Sequence, residues 1–524
     1  MKKIGIVAVF VMILLSVFTA GCVGNQSNSK VEINEMPAKS IEAKSAENNI
    51  PKAKSVIIFI GDGMGINQVY LANRYSEEVY GKNLTFPYVT NNTGLMTTYS
   101  LGHDVTDSAA AAVAMFSGYK TKNRMVNMLP DGKIPKKILS EIFKEEGKSV
   151  GIITTTRITH ATPAAMYAHV KDRGEEDKIA EQLLEFEPDV ALGGGLEYFI
   201  PKDEKGSKRK DNKNLIEEFK KKGYTIVYNK EELEKVNPEN TKKLLGLFSM
   251  SHMAYEIDRE NIPEYQNQPS LAEMTKKALE ILDKNPNGFI LMVEGGRIDH
   301  GYHTHDIKAA VVDVKAFDDA IKVALDYQKK HPDTLIVITA DHETGGLSIG
   351  RGTCSYADSS SGAVSYKENV SAVKNVKCSV KYLVKRILAD NLSKDETVKF
   401  IEKMWGTKLT DKEKELLFKY PLDSKITDKV ILSYYPRVNE YLDNWGEYAL
   451  SKIESDRSRV YWTAYGHTQN PVAVWAIGPG EELFRGFYDN TDIYTKILEA
   501  SEGNYTHIPC SSCVDSALLI AAVN

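Results

Sequence analysis

Residues 56–65 read Val-Ile-Ile-Phe-Ile-Gly-Asp-Gly-Met-Gly, an apolar run that stops at a glycine-rich turn. Unbroken runs rich in β-branched residues are typical of parallel strands covered on both faces. In open α/β sheets, the side chains that bind ligands follow the carboxyl ends of such strands. The segment therefore predicts a buried strand that ends at Ile60, with a functional carboxylate, Asp62, directly after it.

The same pattern recurs along the chain. Further apolar runs occupy residues 150–153, 289–293, 335–338 and 472–477, with amphipathic stretches such as 136–146 and 272–284 between them. This alternation predicts an α/β fold with a doubly wound, mostly parallel central sheet and helices on both faces. From about residue 350 to 459 the chain is rich in charged residues and tyrosine, with helical spacing at 380–388, 398–405 and 412–420. We interpret that segment as a surface insertion between two core strands.

Three of the predicted strand ends are followed by carboxylates and imidazoles. The residues concerned are Asp62, Glu294, Asp299, His300, His303, His305, Asp341 and His342. These are ligand types for zinc, with magnesium favoured where only oxygen atoms gather. A single histidine is more often a surface or core residue than a ligand, but recurrence at strand ends favours a metal site.

Ser108 precedes a segment with five alanines in six positions, so it is expected at the start of a helix. A helix N-terminus offers free amides and partial positive charge to an anion. The serine lacks a Gly-x-Ser-x-Gly setting, so a hydrolase triad is not indicated and a nearby metal would have to activate it. The alternative is that Asp107 and Ser108 only cap the helix.

A third segment contains Thr159-His160-Ala161-Thr162-Pro163 and leads to His169 and Arg173. The planar guanidinium of Arg173 is suited to holding a phosphate. Taken alone, it could equally be an ordinary surface arginine.

Together these residues resemble the alkaline phosphatase family. The matching stretches, in the family's order, are residues 60–65, 105–110, 160–163, 293–300, 339–342 and 466–468, within a span from about Val56 to Asp492. The resemblance implies hydrolysis of phosphate monoesters through a phosphoserine formed on Ser108, and commonly a homodimer. The insertion at about 350–459 falls where the family has a variable surface domain.

The resemblance also implies a role for each site residue. One zinc would be bound by Asp299, His303 and His467. A second zinc would be bound by Asp62, Asp341 and His342, together with Ser108, and a third ion, usually magnesium, by Asp62, Thr162 and Glu294. Arg173 would hold the phosphate, steadied by Asp107. His160 and His300 occupy positions that vary within the family, which leaves the third ion open, with cobalt as an alternative.

Two other classes of function stay open on the residues alone. A phosphodiesterase or sulfatase of the same superfamily is the nearer one. A formylglycine sulfatase requires Cys or Ser followed by x-Pro-x-Arg, whereas Ser108 is followed by alanines, and diesterases usually have a threonine nucleophile. A lipid-anchored solute-binding protein is the other, and it would need neither Ser108 nor a cluster of metals.

The N-terminus predicts export. Residues 1–21 contain two lysines and a short apolar run, which is typical of a signal peptide. Cys22 follows small residues, so we expect it to be lipidated and to anchor the protein to a membrane at the cell surface. Ordinary secretion or an uncleaved anchor are the alternatives. Residues 22–53 are then expected to form a flexible tether to the body, residues 54–524.

Composition and cysteines add further limits. The chain is 42% hydrophobic with a net charge of −5, which is typical of a globular protein and gives no basic surface for nucleic acid. Four cysteines follow Cys22, and their spacing favours Cys354–Cys378 and Cys510–Cys513 disulfides among three connectivities.

Overall fold

A central sheet organises the computed structural model, which describes residues 52–353, 364–366 and 368–502. Its strands are β1 Ser55–Ile60, β2 Thr93–Thr97, β3 Ser149–Arg157, β4 Val190–Gly194, β5 Thr225–Val227, β6 Leu244–Leu247, β7 Phe289–Glu294, β8 Thr334–Thr339, β9 Val472–Ile477 and β10 Gly486–Asp489. Their order across the sheet is β10-β2-β9-β8-β1-β7-β3-β4-β6-β5. The mostly parallel sheet expected from the sequence is confirmed.

β1 lies in the middle of this sheet, and all six of its residues are buried. It runs parallel to β7 and β8, and Ile60 is in register with both Glu294 and Thr339. Parallel strands in register end together at one edge. The residues that follow β1, β7 and β8 therefore emerge side by side.

β9 departs from the sequence-based expectation. The run 472–477 was expected to be a parallel strand, but it pairs antiparallel with both β8 and β2. The reason is the path of the chain: β8 ends at the functional edge, and after the insertion the chain returns at that same edge through His467. A strand that starts there has to run in the opposite direction.

Helices flank the sheet and also form the insertion. They are α1 Ile66–Tyr80, α2 Ser108–Ser117, α3 Leu139–Glu145, α4 Ala161–Ala164, α5 Glu176–Phe186, α6 Leu215–Lys221, α7 Lys230–Lys235, α8 Glu256–Asn261, α9 Leu271–Leu282, α10 Arg297–His303, α11 Ile307–Gln328, α12 Val380–Ala389, α13 Lys394–Trp405, α14 Asp411–Leu417, α15 Lys429–Tyr434, α16 Trp445–Ser458 and α17 Asp492–Glu502. The long helix α11 packs against α9, α10 and α1. No helix in the described residues is long and apolar enough to cross a membrane.

The insertion expected at about 350–459 is mainly helical where it is described, with one short antiparallel strand pair, Arg351–Thr353 and Val364–Tyr366. Residues 347–349 pair antiparallel with 460–462, which brings the two ends of the segment together. Its helices α12 and α14 pack against α16, whose Trp445 is buried. The segment therefore has a packed interior of its own and also contacts the core through α11 and α16.

One predicted disulfide is not present. Cys378 is a free, buried thiol, so the structure does not contain the expected bond to Cys354. Cys354, Cys510 and Cys513 lie outside the described residues, as do the predicted signal peptide, Cys22 and nearly all of the predicted tether. The Cys510–Cys513 pairing stays a prediction.

Candidate active site

Three groups of side chains could each hold a metal ion, and each is called a metal cluster here. The first metal cluster consists of Asp299, His303 and His467, whose ligand atoms lie within 4.8 Å of one another. Asp299 and His303 are four residues apart on α10 and therefore share one face of that helix. His467 arrives from the segment that leads into β9, and its Nε2 lies 3.7 Å from Asp299 Oδ1. The antiparallel return of the chain is thus what completes this cluster.

The proton positions of these two histidines favour a cation between them. His303 Nδ1 contacts the Tyr465 carbonyl, and His467 Nδ1 lies 2.9 Å from the Thr106 carbonyl. A carbonyl only accepts, so each Nδ1–H donates, and in the neutral form of each ring Nε2 then keeps a lone pair. The two Nε2 atoms are 3.1 Å apart. Two lone pairs at that distance repel each other unless a positive ion lies between them.

The second metal cluster consists of Asp62, Asp341 and His342, all of them buried. The turn after β1 brings Asp62 into place through Gly63, which has φ of 70° and donates its N–H to Asp341 Oδ1 at 3.1 Å. A Cβ on Gly63 would lie 2.8 Å from Asp299 Oδ1. This turn therefore requires glycine both for its backbone conformation and for space.

Ser108 adjoins the second cluster. Its Oγ lies 3.3 Å from His342 Nε2, and the residue is buried at the first position of α2. Asp107 caps this helix, because its Oδ1 accepts from the amide of Ala110 at 3.0 Å. The helix itself is small-residue-rich and buried along its whole length. The structure thus joins the two alternatives for this segment: Asp107 is a cap, and Ser108 also faces the metal ligands.

The third metal cluster consists of Asp62, His160 and Glu294, with Asp62 shared with the second. Glu294 Oε2 accepts from the hydroxyls of Thr154 and Thr156. Its other oxygen, Oε1, is buried without a hydrogen-bond partner, as is Thr162 Oγ1. The expected ligand Thr162 is close enough to Glu294 to lower the pKa of its carboxyl, and the structure adds His160, whose Nδ1 has no hydrogen-bond partner, to this cluster.

The electrostatics of the second and third clusters also suit cations. Burial, together with the carboxylates of Asp341, Asp299 and Glu294, raises the pKa of Asp62 well above its usual value. Burial raises the pKa of Glu294 to about 7. Neither oxygen of Asp62 has a hydrogen-bond partner. Buried acceptors that converge without donors are costly, and divalent ions supply the missing positive charge.

In the first cluster the pKa of the carboxylate is shifted in the opposite direction, downward. Burial disfavours the charged form of Asp299, but His303 and His467 outweigh it and hold the pKa of Asp299 well below its usual value. Burial lowers the pKa of His467 to about 3. A carboxylate that stays charged, beside an imidazole of His467 that stays neutral, matches the protonation states that zinc ligands require.

Arg173 is placed by two of the predicted residues. Its Nη1 donates to Asp107 Oδ2 at 3.0 Å, and its Nη2 lies 2.8 Å from His160 Nε2. His300 lies beyond His160, with 5.9 Å between the ring centres. Arg173 is thus held next to the Ser108 helix and is not an unattached surface arginine.

His305 is separate from the metal ligands. Its buried ring stacks between Trp462 and Tyr465, at 4.1 and 3.8 Å, and its Nε2 contacts the Ala464 carbonyl at 2.9 Å. Sequence reasoning grouped it with the candidate ligands because it lies close to His303 in the chain. It follows the end of α10 and has φ of 54°, which turns it away from the cluster.

Sequence reasoning missed His252. Its ring lies 4.5 Å from that of His300, and its Nε2 contacts Arg157 Nη1 at 2.6 Å. A signal was present, because His252 follows the end of β6 as the other site residues follow their strands. The short run that forms β6, Leu-Leu-Gly-Leu, did not stand out as a strand.

The comparisons with known proteins agree with this geometry. A model of the alkaline phosphatase family matches residues 53–502. The chain belongs to the alkaline phosphatase family. Alkaline phosphatase 4 of Bacillus subtilis (strain 168) is 33% identical over 503 residues, which cover 93% of this chain and 96% of that protein.

Solved alkaline phosphatases share the fold. The crystal structure of the Thermus thermophilus enzyme has a TM-score of 0.73 and 31% identity, and the match covers 88% of this chain and 95% of that one. An alkaline phosphatase from the Antarctic bacterium TAB5 has a TM-score of 0.59 and 26% identity over 87% of this chain and all of its own. That structure is of a variant with aspartate in place of a histidine and has Mg bound in the M3 site. The family expected from the sequence motifs is confirmed.

Proposed function

We propose that this enzyme hydrolyses phosphate monoesters with Ser108 as the nucleophile. The observation that carries the proposal is the 3.3 Å distance between Ser108 Oγ and His342 Nε2. The proposal is supported by a hydroxyl at a helix N-terminus that lies next to buried side chains able to hold a metal ion. A serine hydroxyl needs activation, and a metal ion held by these residues would supply it in place of the general base of a triad.

The donor sets fit two zinc ions and a third ion. The first cluster offers one carboxylate and two imidazoles, and the second offers two carboxylates, one imidazole and Ser108. Bound there, the ions would favour the ionised form of the serine hydroxyl and of water and would neutralise charge on the phosphate. The chain's own residues hold these ligands in place: Thr106 and Tyr465 orient the histidines through backbone carbonyls.

Arg173 and the α2 amides are the groups suited to the non-bridging phosphate oxygens. The fork of Arg173 is kept near Ser108 by Asp107, and both side chains are largely buried. Charge-assisted, bidentate hydrogen bonds of this type stabilise charge spread over phosphate oxygens. A monoester dianion offers more such oxygens than a diester, which favours the monoesterase over the diesterase alternative.

We also propose that the third cluster can bind zinc or cobalt instead of magnesium, because both metals take nitrogen ligands. His160 contributes Nδ1 to the third cluster, where it has no hydrogen-bond partner. Magnesium prefers oxygen ligands, and an imidazole shifts the preference toward borderline metals.

Export, membrane anchoring through a lipidated Cys22, and a homodimer remain proposals that rest on the sequence. Fatty-acid labelling of the full chain tests the anchor. Label should enter the wild type and be absent from Cys22→Ala, whereas label in both would place the modification elsewhere.

The function is tested by hydrolysis of p-nitrophenyl phosphate at alkaline pH. We expect activity that is lost on chelation, restored by zinc plus magnesium, and absent from Ser108→Ala. Ser117→Ala, at the other end of the same helix, is the control and should remain active. Inactivity of every metal-loaded sample would reject the proposal, and turnover of a diester or a sulfate ester would then identify the rival esterases.

A further inference from the structure

A cavity of about 870 Å³ lies beside α10 and is not explained by the metal clusters. It is bounded by α10, by residues 249–255 after β6, and by α12 together with residues 440–441 of the insertion. A phosphate group occupies only a small part of such a volume. The cavity therefore has room for the organic part of a substrate.

The cavity begins at the catalytic groups. His303, from the first metal cluster, and His300 both line it. The His300 ring lies beside that of His160, with centres 5.9 Å apart, and His160 Nε2 lies 2.8 Å from Arg173 Nη2. An ester whose phosphate lies between Arg173 and Ser108 thus has the cavity next to it on the side of the first cluster.

The walls of the cavity are aromatic. Tyr441 stacks on the His303 ring, with centres 4.6 Å apart and planes inclined by 18°. Tyr265 and Tyr382 meet edge to face at 6.2 Å and form another part of the lining. Aromatic faces and edges of this kind favour a flat, conjugated ligand over an aliphatic one.

The charged groups of the lining balance in number, with three carboxylates, Asp258, Glu264 and Glu440, and three cations, Arg297, Lys381 and Lys385. Lys381 contacts Asp443 at 3.0 Å, and Glu440 accepts from Arg437 Nε at 2.8 Å. Asp258 accepts from both the amide and the hydroxyl of Ser379. Equal numbers of opposite charges leave little net charge in the cavity, so a neutral group with polar edges suits it better than a strongly charged one.

We infer that this cavity binds the leaving alcohol of the substrate and selects monoesters whose alcohol carries a neutral heteroaromatic ring. Nucleoside 5′-monophosphates are the class of ester that fits. The inference rests on the proposed function, because it describes the alcohol side of the same reaction. It assigns specificity to Tyr265 and Tyr382, of which the second belongs to the insertion.

The test compares adenosine 5′-monophosphate with methyl ribofuranoside 5-phosphate, which has the same type of leaving alcohol but lacks the base. We expect kcat/KM to favour the nucleotide by about tenfold in the wild-type metal-loaded enzyme, mainly through KM, which is the scale of one good aromatic contact. Tyr382→Ala and Tyr265→Ala should each remove most of this preference, because kcat/KM should fall much more for the nucleotide than for the base-free ester. Tyr382→Phe, which keeps the ring, should retain it.

Tyr434→Ala is the matched control, because Tyr434 is also on the insertion but is 76% exposed and does not line the cavity. Equal kcat/KM for the two esters in the wild type would overturn the inference and leave the proposed function intact. So would an equal loss on both esters in the Tyr382 and Tyr265 variants. No hydrolysis of either ester or of p-nitrophenyl phosphate would overturn both.

Discussion

The carboxylate of Asp107 joins the start of the nucleophile helix to Arg173. Its Oδ1 accepts from the Ala110 amide and its Oδ2 from Arg173 Nη1, each at 3.0 Å. Although burial opposes ionisation, Arg173 and the amide hydrogen bonds lower the pKa of Asp107. One charged side chain therefore fixes the position of the arginine relative to Ser108.

Asp107→Ala should weaken phosphate binding. With its partner gone, Arg173 loses its orientation, and we expect the inhibition constant for inorganic phosphate to rise by about tenfold or more, the scale of a charge-assisted hydrogen bond. The lost cap should also lower the free energy of unfolding by about 1 kcal/mol. Inhibition kinetics and urea unfolding measure the two effects. Asp107→Asn separates them, since an amide oxygen can still cap; unchanged phosphate affinity in Asp107→Ala would contradict the role.

His160→Asp should change the metal content. Replacement of an imidazole by a carboxylate leaves only oxygen ligands in the third cluster, so magnesium should displace zinc or cobalt there. Elemental analysis after dialysis against a mixture of the three metals gives the stoichiometry. His103→Asp, at an exposed position, is the control. The same metal content in wild type and His160→Asp would argue against His160 as a ligand.

His305→Ala should loosen the first metal cluster without touching a ligand. The ring of His305 is held between Trp462 and Tyr465, and the carbonyl of Tyr465 orients His303. We expect about tenfold weaker retention of one metal ion in competition with a chelator, which is the lower end for loss of outer-shell support. His331→Ala is a matched control, because His331 also stacks on an aromatic ring, that of Tyr327 with centres 4.1 Å apart, but does not belong to the site. Identical metal retention in both variants would reject this positioning role.

Asp258 should make stability depend on pH. Burial raises its pKa to about 6, from 3.8 in the unfolded chain. Between these values the folded protein keeps a proton that the unfolded chain releases, so the free energy of unfolding falls as pH rises and levels off above the folded pKa. Relative to Asp258→Asn, the wild type should lose about 1 kcal/mol between pH 5 and pH 8.

Urea unfolding at several pH values measures this difference. The loss of a hydrogen bond to Ser379 in the variant adds an offset that does not change with pH. Asp203→Asn, at an exposed position, should parallel the wild type. A difference between Asp258→Asn and wild type that stays constant with pH would show that Asp258 is charged throughout the range.

The sequence predicted much of the site because local patterns report burial. Apolar runs marked β1, β7 and β8, and the residues just after them include Asp62, Glu294 and Asp341. The expected helix start at Ser108 coincides with that of α2. Parallel neighbours end at one edge, so strand ends alone were enough to bring the carboxylates together. Short strands without a distinctive run, such as β6, were missed, and His252 with them.

By itself, then, the sequence determined the α/β class, the family and the residues that could bind metal, since these depend on composition and short-range pattern. The tertiary structure decided the antiparallel direction of β9, which brings His467 to Asp299. It also decided that His303 faces the cluster while His305 packs against Trp462, and that Tyr441 of the insertion stacks on His303. These relationships join segments more than a hundred residues apart in the chain, and which of them meet depends on long-range packing that no local period encodes.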